Sequence, residues 1–335
     1  MWLIAPPDDG LCTVTVPKVG DAPQLHWLGT NQMYHHAPQD IRNWPVLHVA
    51  LSSRGRLEMP LPRCLINYIA DVDMFERTLT LAESVARQMG VPCFNPPAAI
   101  RNTRRDTVSE LLQGIDGLVV PKTIRLASKH PGDFANAFAE HGFQYPVIVR
   151  MAGSHGGRTQ TLIEDASQWD RVHALPWGGA HVYLTQFHDC RGSDGLYRKL
   201  RLAFVGGRVI PRHYVAGDSW VVHAADRVAE ELEAELRWLA AFDQELGAQH
   251  RAAFDEIYRR VGLDYFGMDC GVLSDGRLVL FEANPTMAIL RNTPPHEAAF
   301  APVVQRLVNE VFALVRDTRR WVWKPAPTPP ASPVQ

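Results

Sequence analysis

The segment GMDCGVLSDGRLVLFEANP, residues 267–285, places Asp269, Glu282 and Asn284 inside runs of apolar residues. Burying a carboxylate without a partner is costly, so these positions call for a ligand. Asp-Gly between two apolar runs signals a hairpin, in its commonest form with a two-residue loop. With Asp275 and Gly276 as that loop, Ser274 pairs with Arg277 and Asp269 lies opposite Glu282. Opposite residues share a face, with Cβ atoms about 4.5–5.5 Å apart. Asn284 lies two residues further along and shares the face. Two carboxylates that meet there repel unless one is protonated or a hard cation joins them. Mg²⁺ suits such a set, since it takes one or two carboxylates plus substrate phosphates. The competing reading is two acids at a sheet edge, solvated or paired with arginines. The shared register favours the metal.

A second hairpin, LRLAFVGGRVIPRHY, follows the same logic. A Gly206-Gly207 loop pairs Val205 with Arg208, so Arg201 faces Arg212 and Lys199 faces Tyr214. Like charges directly opposite are destabilising. An anion such as phosphate or carboxylate would relieve them, as would the nearby acids Asp189, Asp194 and Asp218 on a solvated face. Upstream, MAGSHGGRT follows a buried strand. Gly153, Gly156 and Gly157 leave room for backbone N–H groups to approach phosphate oxygens. No GK[ST] follows and the next element is a strand, so the segment is neither a Walker loop nor a dinucleotide fingerprint.

The elements that must carry these residues read as follows. Residues 1–45 mix short apolar pieces with Pro, Asp and His, including the pair His35-His36. The runs VLHVALSS and RCLINYIA read as strands, 74–89 as an amphipathic helix, and VPCFNPP as a short strand and turn. That order implies a small parallel α/β layer. Helices are expected at 102–115, 131–141, 225–247, 248–261 and 302–317, with strands at KTIRLA, YPVIVRM and HVYLTQFHD.

The bulk numbers bound the answer. A chain of 335 residues, 46% apolar and 21% charged, has room for a large core and two or three subdomains. The net charge of −2 carries no nucleic-acid footprint. No apolar run reaches the roughly 18 residues of a membrane span, and the first residues do not read as a signal peptide. Five scattered cysteines without a CxxC pair suggest reduced thiols and a cytoplasmic location. Cys270 should point into the core, away from the face of Asp269.

These motifs together resemble the ATP-grasp superfamily of carboxylate–amine ligases, most of all the ribosomal-protein glutamate ligase type. The similarity runs from about Cys64 to Leu314. It is carried by NPPAAIRNTRRD, PVIVRMAGSHGG, VYLTQFHD, LRLAFVGGRVI and, most specifically, MDCGVLSDGRLVLFEANP. The resemblance implies an α/β (α+β ATP-grasp) architecture. A parallel α/β domain at 1–97 would precede a central subdomain at 98–184 and a C-terminal subdomain at 185–322. A Pro-rich, disordered tail would fill 323–335.

The resemblance also implies ATP and two Mg²⁺ ions, with Mn²⁺ as an alternative, on Asp269, Glu282 and Asn284. Phosphates would be held by Arg105, Arg150, Lys199 and the loop residues Gly153, Ser154, His155, Gly156 and Gly157. Adenine would lie against Gln186, Phe187, His188 and Asp189. Arg105 or Thr107, and Arg150, stand where relatives usually carry lysines, Gln186 where they carry an acid, and His223 where they carry an asparagine. Arg201, with Arg198 and Arg212, would stabilise the transferring group, and Arg291 would help choose the substrate. The expected reaction joins a small-molecule or peptide carboxylate to an amine, in a monomer or homodimer without nucleic-acid or membrane partners. A phosphotransferase and a non-catalytic nucleotide-binding module are the alternatives.

Overall fold

The computed structural model describes residues 1–16, 24–51, 59–154, 159–176, 178–224, 231–292 and 296–324. The loop positions His155, Gly156 and Gly157, and most of the Pro-rich tail, lie outside these residues.

The first layer is a four-stranded sheet in the order β4-β1-β5-β6. It consists of β1 (Trp2–Ile4), β4 (Val46–His48), β5 (Leu65–Asn67) and β6 (Cys93–Phe94), and every pairing is parallel. A separate hairpin joins β2 (Thr13–Thr15) to β3 (Gln24–His26). The connection from β5 to β6 is helix α1 (Glu76–Met89). Its N-terminal N–H groups need acceptors, and Asp8 supplies them to Arg77 N at 2.7 Å and Thr78 N at 2.9 Å. Gly90, at φ +61°, ends the helix in the left-handed conformation that glycine adopts without a Cβ penalty.

After a one-turn helix at Pro97–Ile100, α2 (Arg105–Leu111) leads into β7 (Leu118–Val119). An antiparallel sheet then forms from β8 (Thr123–Ala127), β9 (Val147–Met151), β10 (Gln160–Ile163) and β11 (His181–Gln186), in the order β10-β9-β11-β8. Helix α3 (Gly132–Glu140) covers it, and the sheet has a core of its own around Phe134, Val147, Val149, Val182 and Leu184. Strand alternation turns Val147, Val149 and Met151 inward and leaves Ile148 and Arg150 on the other face.

A five-stranded sheet completes the fold in the order β13-β12-β14-β15-β7. Its long strands are β12 (Tyr197–Val205), β13 (Arg208–Gly217), β14 (Tyr265–Val272) and β15 (Leu278–Asn284). Helices α4 (Leu232–Ala241), α5 (Arg251–Val261) and α6 (Glu297–Arg316) accompany it. Leu200, Leu202, Phe204, Phe266, Met268 and Cys270 point into one core, which they share with Leu3, Val49 and Ile69 of the first layer. Ala203, Val205 and Tyr265 point into a second core, with Trp2, Ile66 and Phe94. Helix α6 is long and apolar enough to cross a membrane by length and composition, but Leu307, Val311, Phe312 and Leu314 are buried in that second core. It starts five residues before the expected position and takes Pro302 inside.

The first and last sheets are also joined by polar contacts. Asn95 donates to the Tyr265 carbonyl at 2.7 Å and accepts from its N–H at 2.9 Å. The buried carboxyl of Asp264 accepts from Asn95 N at 2.7 Å and from Val322 N at 2.6 Å. Asn95 is held at φ +50°, a region asparagine enters more readily than most residues.

The hairpin registers correct two expectations. Between β14 and β15 the loop has three residues, because Leu273 N donates to Arg277 O and Gly276 takes φ +85°. A one-residue bulge at Phe281 then restores the phase, so Asp269 still faces Glu282 and Gly267 faces Asn284. Between β12 and β13 the register shifts after Leu202↔Pro211, and Arg201 faces His213 instead of Arg212, with Lys199 opposite Val215. Proline cannot donate to the ladder and is tolerated on an edge strand or at a bulge, and β13 is an edge strand.

Candidate active site

A cavity of about 200 Å³ opens between the four-stranded sheet β8–β11 and the five-stranded sheet. On its floor, register lines up one residue from each of three strands. Arg201 of β12 pairs with Asp269 of β14, which pairs with Glu282 of β15. Arg201 holds Asp269 with a two-pronged contact, Nε to Oδ1 and Nη2 to Oδ2, both 2.7 Å. At the other end Arg105, the first residue of α2, pairs with Glu282 Oε2 and donates to the carbonyl of the bulged Phe281 at 3.2 Å. The row therefore reads cation, anion, anion, cation. Two like charges about 5 Å apart at an effective dielectric of ~20 repel by ~3 kcal/mol. The flanking guanidiniums neutralise that repulsion.

The arginine-pairing reading of the two acids is met, but its sheet-edge part is not. Each acid has an arginine partner, yet β15 lies between β14 and β7 and is no sheet edge. Burial disfavours the Arg201 charge, but the adjoining Asp269 outweighs it and holds the guanidinium above its ordinary pKa. Lys199, on the same face of β12, lies 3.9 Å from Asp269 Oδ2. Burial lowers its pKa, with Asp269 opposing that shift.

The opposite wall is built by the central sheet. Gln160, Arg150, Tyr183 and Arg125 follow one another across β10, β9, β11 and β8. Arg150 donates to Ser154 O at 2.7 Å, and its buried Nε has no hydrogen-bond partner. Desolvation, with the nearby charge of Arg105, lowers its pKa to about 10, so it stays cationic at neutral pH. Phe187, His188, Trp220 and His223 close the far side of the cavity, where Phe187 and Trp220 meet edge to face at 6.2 Å.

A smaller cleft adjoins the first and shares Glu282 and Arg105 with it. Asp71, Asp73, Gly153, Ser154, Asn284 and Thr286 also line it. Glu282 is therefore the wall between a larger chamber and a narrow neighbouring one. Asn284 Oδ1 accepts from Thr286 N at 3.0 Å and Thr286 Oγ1 at 2.6 Å.

Several sequence-derived site residues are placed elsewhere. Arg212 is fully buried and donates to the carbonyls of Ile289 at 3.1 Å and Arg291 at 2.9 Å. The register shift at Pro211 takes it out of the Arg201 row. Gln186 lines the cavity, but its amide turns back to accept from Gln144 N at 3.1 Å and donate to Gln144 O at 2.8 Å. Asp189 is paired with Arg191 at 2.6 Å, away from the cavity lining. Arg198 reaches the lining while donating to Asp194 at 2.9 Å. Arg291 is exposed and contributes its backbone carbonyl to Arg212. His35 accepts or donates at 2.8 Å with Tyr68 OH. Cys270 is fully buried, and desolvation raises its pKa far above the usual thiol range.

Sequence reasoning missed Asp73. Its carboxylate takes the Tyr183 hydroxyl at 2.7 Å, the Gly153 N–H at 3.3 Å and an ion pair with Arg125 at 3.2 Å. These partners lie far along the chain, so local pattern carries no signal for them. Trp220 was missed as well, although the run SWVV marks an apolar element beside the basic hairpin.

No protein-family model and no curated protein matches this sequence. Solved structures do match. The ATP-grasp RimK domain protein of Sphaerobacter thermophilus aligns with a TM-score of 0.50 at 14% identity, over 95% of this chain and 100% of that one. The D-alanine–D-alanine ligase of Bacillus anthracis, solved with ATP, aligns with a TM-score of 0.50 at 12% identity, over 86% of this chain and 89% of that one. The chain has the ATP-grasp fold.

Proposed function

We propose that the chain is an ATP- and Mg²⁺-dependent ligase that activates a substrate carboxylate as an acyl phosphate and joins it to an amine. One observation carries the reading. Arg105, Arg150, Arg198, Lys199 and Arg201 line a cavity whose lining acids, among the described residues, are Asp269 and Glu282. A walled cleft with a surplus of one charge concentrates ligands of the other, and a triphosphate is the polyanion that suits it. The ligase of the same fold solved with ATP supports that choice.

The donor set fits a hard cation. Asp269 and Glu282 face each other in register and Asn284 follows on the same strand as Glu282, all with oxygen donors. These three residues would hold two Mg²⁺ ions, which supply charge neutralisation at the β and γ phosphate oxygens. Arg150, Gly153 and Ser154 bind phosphate from the central sheet, while Phe187 and Trp220 provide an apolar frame for the base. Arg201 and Lys199 stabilise charge that develops on the transferring group.

In the first step a substrate carboxylate oxygen bonds to the γ-phosphorus as the bond to ADP breaks. The amine nitrogen then bonds to the acyl carbon, phosphate leaves, and the surplus amine proton passes to solvent. No protein nucleophile takes part, so positioning and electrostatics are the main catalytic terms. The narrow cleft beyond Glu282 and the surface near Arg291 would admit the acid and amine.

The test is phosphate release from ATP with a panel of acids and amines. Release that requires both partners supports the ligase. A stable phosphorylated product formed without amine replaces it with a phosphotransferase. Nucleotide binding without ADP across the panel replaces it with a binding module.

A further inference from the structure

The row Arg105–Glu282–Asp269–Arg201 has a consequence for how the site fills. We infer that Arg105 and Arg201 are resident counter-ions that block divalent cations from the two carboxylates until a polyanion draws the guanidiniums away. Cation and nucleotide then load together, not cation first. This rests on the reading of Asp269 and Glu282 as metal ligands.

The oxygens a cation would need are already engaged. Both Asp269 oxygens accept from Arg201, and Glu282 Oε2 is paired with Arg105. Arg105 is anchored twice, since it also donates to the Phe281 carbonyl at 3.2 Å. Its side chain is 19% exposed and that of Arg201 16%. A cation arriving alone would strand two poorly solvated guanidiniums in a cavity that already carries Lys199 and Arg150. Breaking a buried ion pair in that way is costly because a charge is left uncompensated. A triphosphate changes the balance. Arginine binds phosphate oxygens as well as it binds carboxylate, so each guanidinium exchanges one anion for another. The carboxylates are freed only then, and every charge keeps a partner throughout.

The experiment is direct Mn²⁺ binding, read as loss of the free-ion spin-resonance signal, with and without a non-hydrolysable ATP analogue. Wild type should bind Mn²⁺ weakly alone and far more tightly with the analogue. Arg105→Met should bind Mn²⁺ alone roughly tenfold more tightly or better, and the analogue should add less than in wild type. Arg105→Gln, which retains a donor toward the Phe281 carbonyl, replaces it should the methionine variant not fold. If nucleotide-free wild type binds Mn²⁺ as tightly as the variant, and Glu282→Gln weakens that binding, the inference is overturned while the metal reading stands. If folded wild type binds no Mn²⁺ even with the analogue, the metal reading falls and takes the inference with it.

Discussion

The carboxylate of Asp73 accepts the backbone N–H of Gly153 at 3.3 Å, across 80 residues of chain. Gly153 is in the left-handed region at φ +67° and opens the glycine segment. An acid of the first layer thus holds the root of the glycine segment, with help from Tyr183 and Arg125. Asp73→Ala should speed amide exchange at Gly153 and lower ATP turnover about tenfold or more. Tyr183→Phe should do the same more weakly, at a stability cost of about 1 kcal/mol. Unchanged exchange at Gly153 in Asp73→Ala would remove the carboxylate from loop positioning.

Glu282→Gln keeps the side-chain size and tests the shared wall between the two chambers. Stability should fall by roughly 1–3 kcal/mol, because Arg105, whose side chain is 19% exposed, keeps an amide partner but loses its charged one. ATP turnover should fall by about two orders of magnitude or more. Steady-state phosphate release and a urea midpoint on one preparation check both halves.

Arg201 and Arg212 should behave differently from two repelling neighbours. Arg201→Met leaves Asp269, 4% exposed, without its two-pronged partner. The expected loss is about 3–5 kcal/mol. Arg212→Met leaves the carbonyls of Ile289 and Arg291 without these donors. It should cost about 2–4 kcal/mol, while the protein that remains folded binds the ATP analogue with wild-type affinity. Denaturant midpoints and calorimetric titration separate the two cases.

Asp264 predicts a pH dependence of unusual sign. Desolvation raises its carboxyl pKa to about 6, against the pull of the N–H groups of Asn95 and Val322. The unfolded value is about 4, so between these two pH values the folded protein binds the extra proton. Its contribution to stability is complete below about pH 4 and is lost as pH rises through about 6, by roughly 3 kcal/mol. The wild-type minus Asp264→Asn difference in unfolding free energy should fall across that window. A flat difference would place the carboxyl at its ordinary value.

Local signals carried much of the site, and their failures have physical causes. The Asp-Gly turn and alternation located both strands of the hairpin that carries Asp269 and Glu282. Asp269 faces Glu282 because two departures cancel: the loop is one residue longer than expected, and Phe281 is an extra residue in the strand. No compensation follows the Gly206-Gly207 turn, so the Pro211 shift removed Arg212 from the row. Pro302 misplaced the start of α6, since proline is usually found in a first turn, whereas the helix begins at Glu297. The parallel layer was readable from the strand–helix–strand pattern, but not its strand order, which seats β1 of the N-terminal residues between β4 and β5. The contacts of Asp73 and the backward turn of Gln186 depend on partners far away in sequence, which periodicity does not encode.

The stitching of Asn95 to Tyr265 also decides how the molecule can move. The first and last sheets share two cores and are pinned by that amide, so mechanically they are one block. The four-stranded sheet keeps its core to itself and is inserted between β7 and β12. Two chain crossings tether it, one through Pro121 and the other through Phe187 and His188. The chain itself allows the sheet to turn about the line between these crossings, and the contacts of Asp73 to Tyr183, Arg125 and Gly153 hold it against that turn. Pro121, Phe187 and His188 all line the cavity, so a ligand bound there would rest against that line. A ligand seated there would bear directly on the sheet that carries Arg150.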